Sequence, residues 1–371
     1  MKKRILSIMI VVALALSMTA CSAASDETTA EGNVTTTVST AEKADEEKEK
    51  TKAEETEKEA EETTVEETEA ETTVETKPEI EIVDVPVEDF ETQYDASLGG
   101  LIIEKYNGGE KGIRVPAEID GDPVLKIGHK AFYYSPVKKL ELSEGITTIG
   151  EYGLTCLTLE EVIMPTSLTK LDNSAFRECK ALTEIVIPET ITEFGDNMFN
   201  SCYALETVTL PSNMKVIPED MFYRCEALTT VNIPDSVTTI GEQAFMCCTS
   251  LTNINLPDSV ETFENWGTFE DCTSLTEITI PKNVTIIPDY MFEGCEKLKS
   301  ITLHDNIKRI EGYSFNDCTN LRELTLPDDI EYVYPFAFDG CTALTITYRG
   351  QTYLASDNQK LSADVEANNA A

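Results

Sequence analysis

From residue 93 onward, apolar and polar positions follow a repeating programme. Leucine, two free positions and then an aliphatic-x-aliphatic unit recur, as in Leu182-Thr183-Glu184-Ile185-Val186-Ile187 and Leu228-Thr229-Thr230-Val231-Asn232-Ile233. Such alternation predicts a short strand with one buried face. A proline usually follows (Pro188, Pro211, Pro234, Pro257, Pro281). It removes a backbone donor and ends the strand. A second apolar pair comes next, such as Val237 and Ile240, before a turn opened by glycine or proline, as at Gly241 or Pro288.

The programme has a fixed period. Cysteines stand at 156, 179, 202, 225, 248, 272, 295, 318 and 341, at intervals of 23 residues except for one of 24. Three residues before most of them lies a phenylalanine, Phe176, Phe199, Phe222, Phe245, Phe269, Phe292, Phe315 and Phe338, and three residues after each lies a leucine. A unit of this size cannot bury its apolar side alone and must stack on its neighbours. The expected fold is a β-rich solenoid of about ten coils with short parallel strands, its phenylalanines forming a continuous spine. Residues 124–348 make the repeats and 349–371 a C-terminal cap with a polar tail. Residues 93–123 are expected to form an N-terminal cap, with a hairpin through Leu101–Tyr106 and Gly112–Val115.

The pattern Leu-x-x-Ile-x-Ile-Pro-x-x-Val-x-x-Ile-x-x-x-Ala-Phe-x-x-Cys, clearest in Leu228 through Cys248, is similar to the BspA-like class of bacterial leucine-rich repeats. The likeness covers about residues 93–348. Departures sit in particular units: Ser135 for cysteine, Ser143 for proline, Gly153-Leu154 where Ala-Phe is expected, and an added residue near Trp266. The resemblance implies a leucine-rich-repeat solenoid at the bacterial surface, engaged in adhesion and in host or microbial contact.

The first 92 residues are different material. Met1-Lys2-Lys3-Arg4 is followed by an apolar run from Ile5 to Leu16. Twelve residues are too few to span a bilayer as a helix, which needs about 20. Basic head, short apolar core and small closing residues read as a secretory signal over residues 1–20. Met18-Thr19-Ala20-Cys21-Ser22 resembles a bacterial lipobox, with Met18 where that motif usually has leucine. It implies lipidation of Cys21 and attachment to the outer face of a membrane, since two acyl chains anchor where one is marginal. The alternative is ordinary cleavage near Ala20 or Ala23 with Cys21 unmodified. Residues 21–92 then read as a disordered Glu/Thr-rich tether. From Ser22 to Thr92 acids outnumber bases 25 to 6, and Phe90 is the sole aromatic. Such a segment has too little apolar surface to offset ordering entropy, and like charges extend it. A calcium-binding acidic tail is the other reading, although EF-hand spacing is absent.

Charge and composition narrow the function. A formal net charge of −39 excludes a nucleic-acid-binding surface as the main business, because phosphate binding needs clustered Lys and Arg. The two histidines, His129 and His304, stand in distant coils and cannot share a site. A cysteine row at 23-residue spacing lacks the clustered ligands of a zinc site. Neighbouring coils bring these cysteines within disulfide range, but the reading favoured is a row of buried free thiols acting as small hydrophobes. Cys247, beside the ladder, is expected to be more exposed. No phosphate loop or nucleophile elbow occurs, so neither cofactor nor catalysis is expected.

What remains is a surface. The outward strand positions run Glu184, Thr207 and Thr209, Thr230 and Asn232, Asn253 and Asn255, Glu277 and Thr279, Ser300 and Thr302. The middle of this face is hydroxyl- and amide-rich. Solenoids present such extended sheets to partners, here a protein or glycan at the bacterial or host surface; threonine is also simply a good solvated strand residue. Trp266 and the tyrosines offer a second candidate on the turns. Rival readings are a structural envelope component without a specific ligand, or a hydrolase whose site lies on an unrecognised loop.

Overall fold

In the computed structural model the described residues are 79–370. The signal segment, Cys21 and the acidic tract to residue 78 lie outside them. Residues 79–370 form a leucine-rich-repeat β-solenoid of about 11 turns of about 23 residues. Each turn contributes a strand of about three residues to one parallel sheet, then a two-residue strand to a second. Registers are offset by one repeat: Thr207, Val208 and Thr209 pair with Thr230, Val231 and Asn232, and Val216 and Ile217 with Thr239 and Ile240. One-repeat offsets place like residues over like, so a sequence column becomes a column in space.

Inside, these columns form a single apolar core. The phenylalanines from Phe176 to Phe338 are fully buried and stack ring on ring, with centroids 5.3–5.8 Å apart. Burying one such ring contributes about 1.5–3 kcal/mol, and stacked aromatic pairs add about 0.5–1.5 kcal/mol. Leu154 holds the same buried position where the ring is missing. The ladder cysteines are buried free thiols. Each donates its S–H to a main-chain carbonyl one coil back: Cys202 to Phe176 at 3.1 Å, Cys225 to Phe199 at 3.2 Å, Cys341 to Phe315 at 2.9 Å. The thiols thus satisfy carbonyls in a dry interior, and burial pushes the pKa values of Cys225 and Cys272 well up. The likeness in side chain follows from the likeness in task.

The turns carrying Phe176 to Phe315 each take two left-handed residues, and Gly267 supplies one of them before Phe269. One stands two before the ring (Ser174, Asn197, Asp220, Gln243, Tyr290, Tyr313), the other just before the cysteine (Glu178, Ser201, Arg224, Cys247, Asp271, Asp317). Gly294 and Gly340 fill the second column in two coils. Elsewhere β-carbon crowding is accepted, at about 1–2 kcal/mol per residue. This corrects the expectation for Cys247, which is only 1% exposed. At φ 59° it lies in the turn rather than off it. Its amide bonds to Glu270 O of the next coil, and its thiol lies 3.9 Å from Asp271 Oδ2.

Both ends also differ from expectation. The fold begins before residue 93: Val83–Asp84 pairs in parallel with Ile113 and Arg114, and Phe90 is buried. The N-terminal hairpin joins Phe90–Asp95 to Gly100–Tyr106 in antiparallel fashion. Gly112–Val115 is not its second arm but a solenoid strand in register with Lys139–Leu142. The reason is aromatic: Phe90 packs tilted 5.3 Å from Tyr106, and Tyr106 stacks 5.8 Å from Phe132, continuing the ring column into the cap. At the other end the polar tail is structured. Gln351–Leu354 folds back antiparallel on Thr345–Tyr348, and the helix Asn358–Asn369 buries Leu361 and Val365. An antiparallel return covers a sheet edge that would otherwise template pairing with another chain.

Candidate recognition surfaces

In the first sheet the central residue of each strand points in and its two neighbours point out. Thr207 and Thr209 flank buried Val208, Thr230 and Asn232 flank Val231, Ser300 and Thr302 flank Ile301. Glu184, Asn253, Asn255, Glu277 and Thr279 are likewise exposed. All eleven residues expected on this face are on it.

The face is not uniform along its length. Its first coils carry charges that neutralise one another. Arg114 bridges Glu141 and Asp84, each at 2.8 Å, and Lys139 meets Glu161 at 3.0 Å. Two apolar side chains then stand outward, Ile163 and Val186, the latter 66% exposed. Beyond them the uncharged stretch begins. Where it ends there is a groove of about 270 Å³. It is lined by Asn253, Asn255, Glu277, Thr279, Ser300 and Thr302, with Ile254, Leu256 and Ile278 also contributing. The strand ladder is open here: Asn255 bridges back to Asn232, and the next hydrogen-bonded pair of strands starts at Glu277. The neighbouring interval of 24 residues marks this coil in the sequence. The opening between strands and the groove itself were not legible there.

Elements of this groove suit polar recognition. Amides supply donors and acceptors, hydroxyls do both, and Glu277 accepts only. An apolar strip between polar columns gives a ligand some desolvation energy, while the polar atoms fix its orientation. Nothing in it is a matched nucleophile and base. Among the described residues, no group of three or more His, Cys, Asp or Glu side chains is placed to hold a metal ion. His129 lies 3.5 Å from Glu151 at the N-terminal end. His304 is half-buried in a turn: Nδ1 accepts the Asn306 amide at 3.2 Å, so Nε2–H donates to Pro281 O at 2.8 Å.

The turn aromatics gather more than the sequence indicated. Trp266 meets Tyr290 edge-on at 5.9 Å, Tyr290 stacks on Tyr313 at 5.3 Å, and Tyr313 stacks on Phe336 at 6.0 Å. They form one strip across successive coils, half-buried except for exposed Phe336. Its ring faces are largely consumed by one another, so solvent meets mainly edges and hydroxyls. Beneath it Glu270 is 7% exposed, and its Oε2 has no hydrogen-bond partner. Burial, followed by the charges of Glu293 and Asp271, pushes its pKa up to about 8. Sequence reasoning passed over this carboxyl because its column is mixed, holding Arg177, Asn200, Tyr223 and Met246 as well as Glu293 and Asp339.

Comparison with known proteins agrees with this architecture. The family model for the BspA type leucine-rich repeat region matches residues 119–228 and 215–345. The chain belongs to the BspA-type leucine-rich-repeat family. Among solved structures, a T. pallidum leucine-rich repeat protein is 30% identical, covering 52% of this chain and 91% of its own, with a TM-score of 0.49. The pneumococcal vaccine antigen PcpA is 18% identical over 70% of this chain and 79% of its own, with a TM-score of 0.52, and shows the shared fold. A leucine-rich repeat protein from Bacteroides ovatus is 22% identical, covering 72% and 89% of the two chains, at a TM-score of 0.47. No curated protein matches the chain. A BspA-type solenoid is a repeat scaffold.

Proposed function

We propose that this BspA-type protein is a recognition and adhesion protein of the bacterial surface. It binds a protein or glycan partner through the first-sheet face and performs no chemistry. Export by the signal at 1–20, lipidation of Cys21 and the acidic tract would hold it to the outer face of the membrane with reach. The observation that carries the reading is the groove at Asn253, Asn255, Glu277, Thr279, Ser300 and Thr302. Six side chains picked as outward recognition positions line one concavity, and uncharged Thr207, Thr209, Thr230 and Asn232 continue from it along the sheet. The likeness to a pneumococcal vaccine antigen favours a place at the envelope.

A glycan and extracellular-matrix array probed with the full chain tests the reading. Retention of a defined set of ligands, lost when Asn255→Arg fills the groove, is the expected result. An array on which the wild type and Asn255→Arg give the same signals would refute it. Mass spectrometry of the mature protein checks the anchor: a diacylated Cys21 is expected, and a chain starting at Ser22 or Ala24 would contradict it.

A further inference from the structure

The second sheet carries a surface of another kind. Its two-residue strands leave an outward residue each, and two grooves lie along them. One, of about 480 Å³, is lined by Val216, Phe194, Asp196, Glu219 and Glu264 among others. The other, of about 320 Å³, is lined by Ile286, Phe263, Glu261, Asp289 and Glu311 among others. Val216 and Ile286 are exposed aliphatic side chains in a sheet whose inward residues are already well buried. Each groove therefore pairs apolar surface with carboxylates.

The carboxylates of the middle coils are stacked without ion pairs. Asp196, Glu219 and Glu242 occupy one column in three successive coils, and the charges of Glu242, Asp196 and Glu264 add to burial in raising the Glu219 pKa. Like charges directly opposite one another in a sheet are destabilising. Elsewhere this protein relieves such stacks. At one end of the same sheet Lys170 lies 3.3 Å from Glu193 and 3.2 Å from Asp172. At the other, the Arg309 guanidinium lies 2.7 Å from Glu311 and 4.7 Å from the Tyr332 ring centre. Among the described residues, no ion pair of 4 Å or less reaches Asp196, Glu219, Glu242, Glu261 or Glu264. The middle coils keep the acids unpaired: Lys215 lines the first groove beside Asp196 and Glu219, but among the described residues it makes no ion pair of 4 Å or less with them.

We infer that these two grooves along the second sheet form a second docking surface, whose occupant is a basic segment of a partner protein in which Arg or Lys side chains interleave with aliphatic ones. The partner's cations would take the place that Lys170 and Arg309 take at the two ends, and its aliphatic side chains would cover Val216 and Ile286. Charge complementarity of this kind governs register and on-rate and is weakened by salt. The surface is separate from the first-sheet groove and stands without it.

The test uses the full chain and a fluorescein-labelled nonapeptide alternating arginine and valine, with versions carrying glutamine or glutamate for arginine. Fluorescence anisotropy should show saturable binding of the arginine peptide only, weakening at least tenfold from 50 to 300 mM salt. Glu219→Gln, Glu242→Gln and Glu264→Gln together should cost at least tenfold in affinity, and Val216→Ser with Ile286→Ser three- to tenfold. Glu118→Gln, Asp120→Asn and Asp122→Asn remove the same charge from the N-terminal cap and should cost less than twofold. Equal losses from the two acidic triples would reduce the effect to net charge and overturn the inference. So would binding of the glutamine peptide as tightly as the arginine peptide, no binding of either, or indifference to the two serine substitutions. Asn255→Arg should leave this binding intact, which separates failure here from failure of the first-sheet reading.

Discussion

The same coils present two faces built by one rule and finished differently. In the first sheet, Thr230 and Asn232 flank a buried Val231. In the second, Ile240 is buried while Thr239 faces out and Glu242 follows in the turn. The inward columns of both sheets meet in one core and tolerate little variation, because each ring and thiol is the ceiling of one coil and the floor of the next. Outward columns have no such duty. One face runs to hydroxyls and amides, and the other to carboxylates that form no ion pairs in the middle coils. Stability resides in the columns the faces share, and the recognition proposed above would reside in the columns they do not.

The largest effect should come from breaking what both faces share. Phe222→Ala removes a ring stacked 5.8 Å from Phe199 and 5.3 Å from Phe245. It should cost about 3–5 kcal/mol in chemical denaturation and weaken both peptide and array binding. A loss below about 1 kcal/mol would mean that the column is not the structural axis.

Glu270 gives a smaller, pH-dependent effect. Its folded pKa of about 8 lies above the ordinary carboxylate value of 4.5. Between those values the folded state retains a proton that the unfolded state has released, so stability is full below pH 4.5 and falls as pH rises toward 8. Glu270→Gln should flatten that fall, stabilising the protein at pH 8 by about 2 kcal/mol and hardly at all at pH 4.5. Melting curves at the two pH values check it, and a gain at pH 4.5 equal to that at pH 8 would contradict the cause given.

Backbone strain gives a finer test. Glu178 holds φ 59° in the column where Gly294 and Gly340 stand naturally. Glu178→Gly should stabilise by about 0.5–1 kcal/mol, read from the denaturant midpoint, whereas the same change at Arg177, one residue earlier, should not stabilise. Smallest of all, Thr230→Ala on the open first-sheet face should shift stability by less than about 0.5 kcal/mol.

Much of this was written in the residues. Period, strand positions and the buried Phe, Leu and Cys columns were legible because stacking makes each coil repeat its neighbour's constraints. The outward first-sheet residues followed from a period of two. The ends were less legible because a cap has no repeat to follow. Phe90 looked like the lone aromatic of a polar tract until Tyr106 supplied its partner, and Leu361 and Val365 are too few to announce a docked helix. Cys247 misled because strand alternation says nothing about a left-handed turn. The grooves lay beyond sequence reasoning, since each depends on spacing between coils rather than on residue type. Glu219 and Glu242 were visible as acids, but only the register placed them in one stack.

Separability of the two kinds of column is the claim on which the account rests, and one paired measurement addresses it. Asn253, Asn255, Thr279 and Thr302 are replaced together by alanine, and thermal unfolding and array binding are recorded on the same preparation. The account predicts a melting temperature within about 2 °C of wild type and loss of the ligands bound by the first-sheet face. Unchanged binding, or a melting temperature that falls along with it, would contradict it.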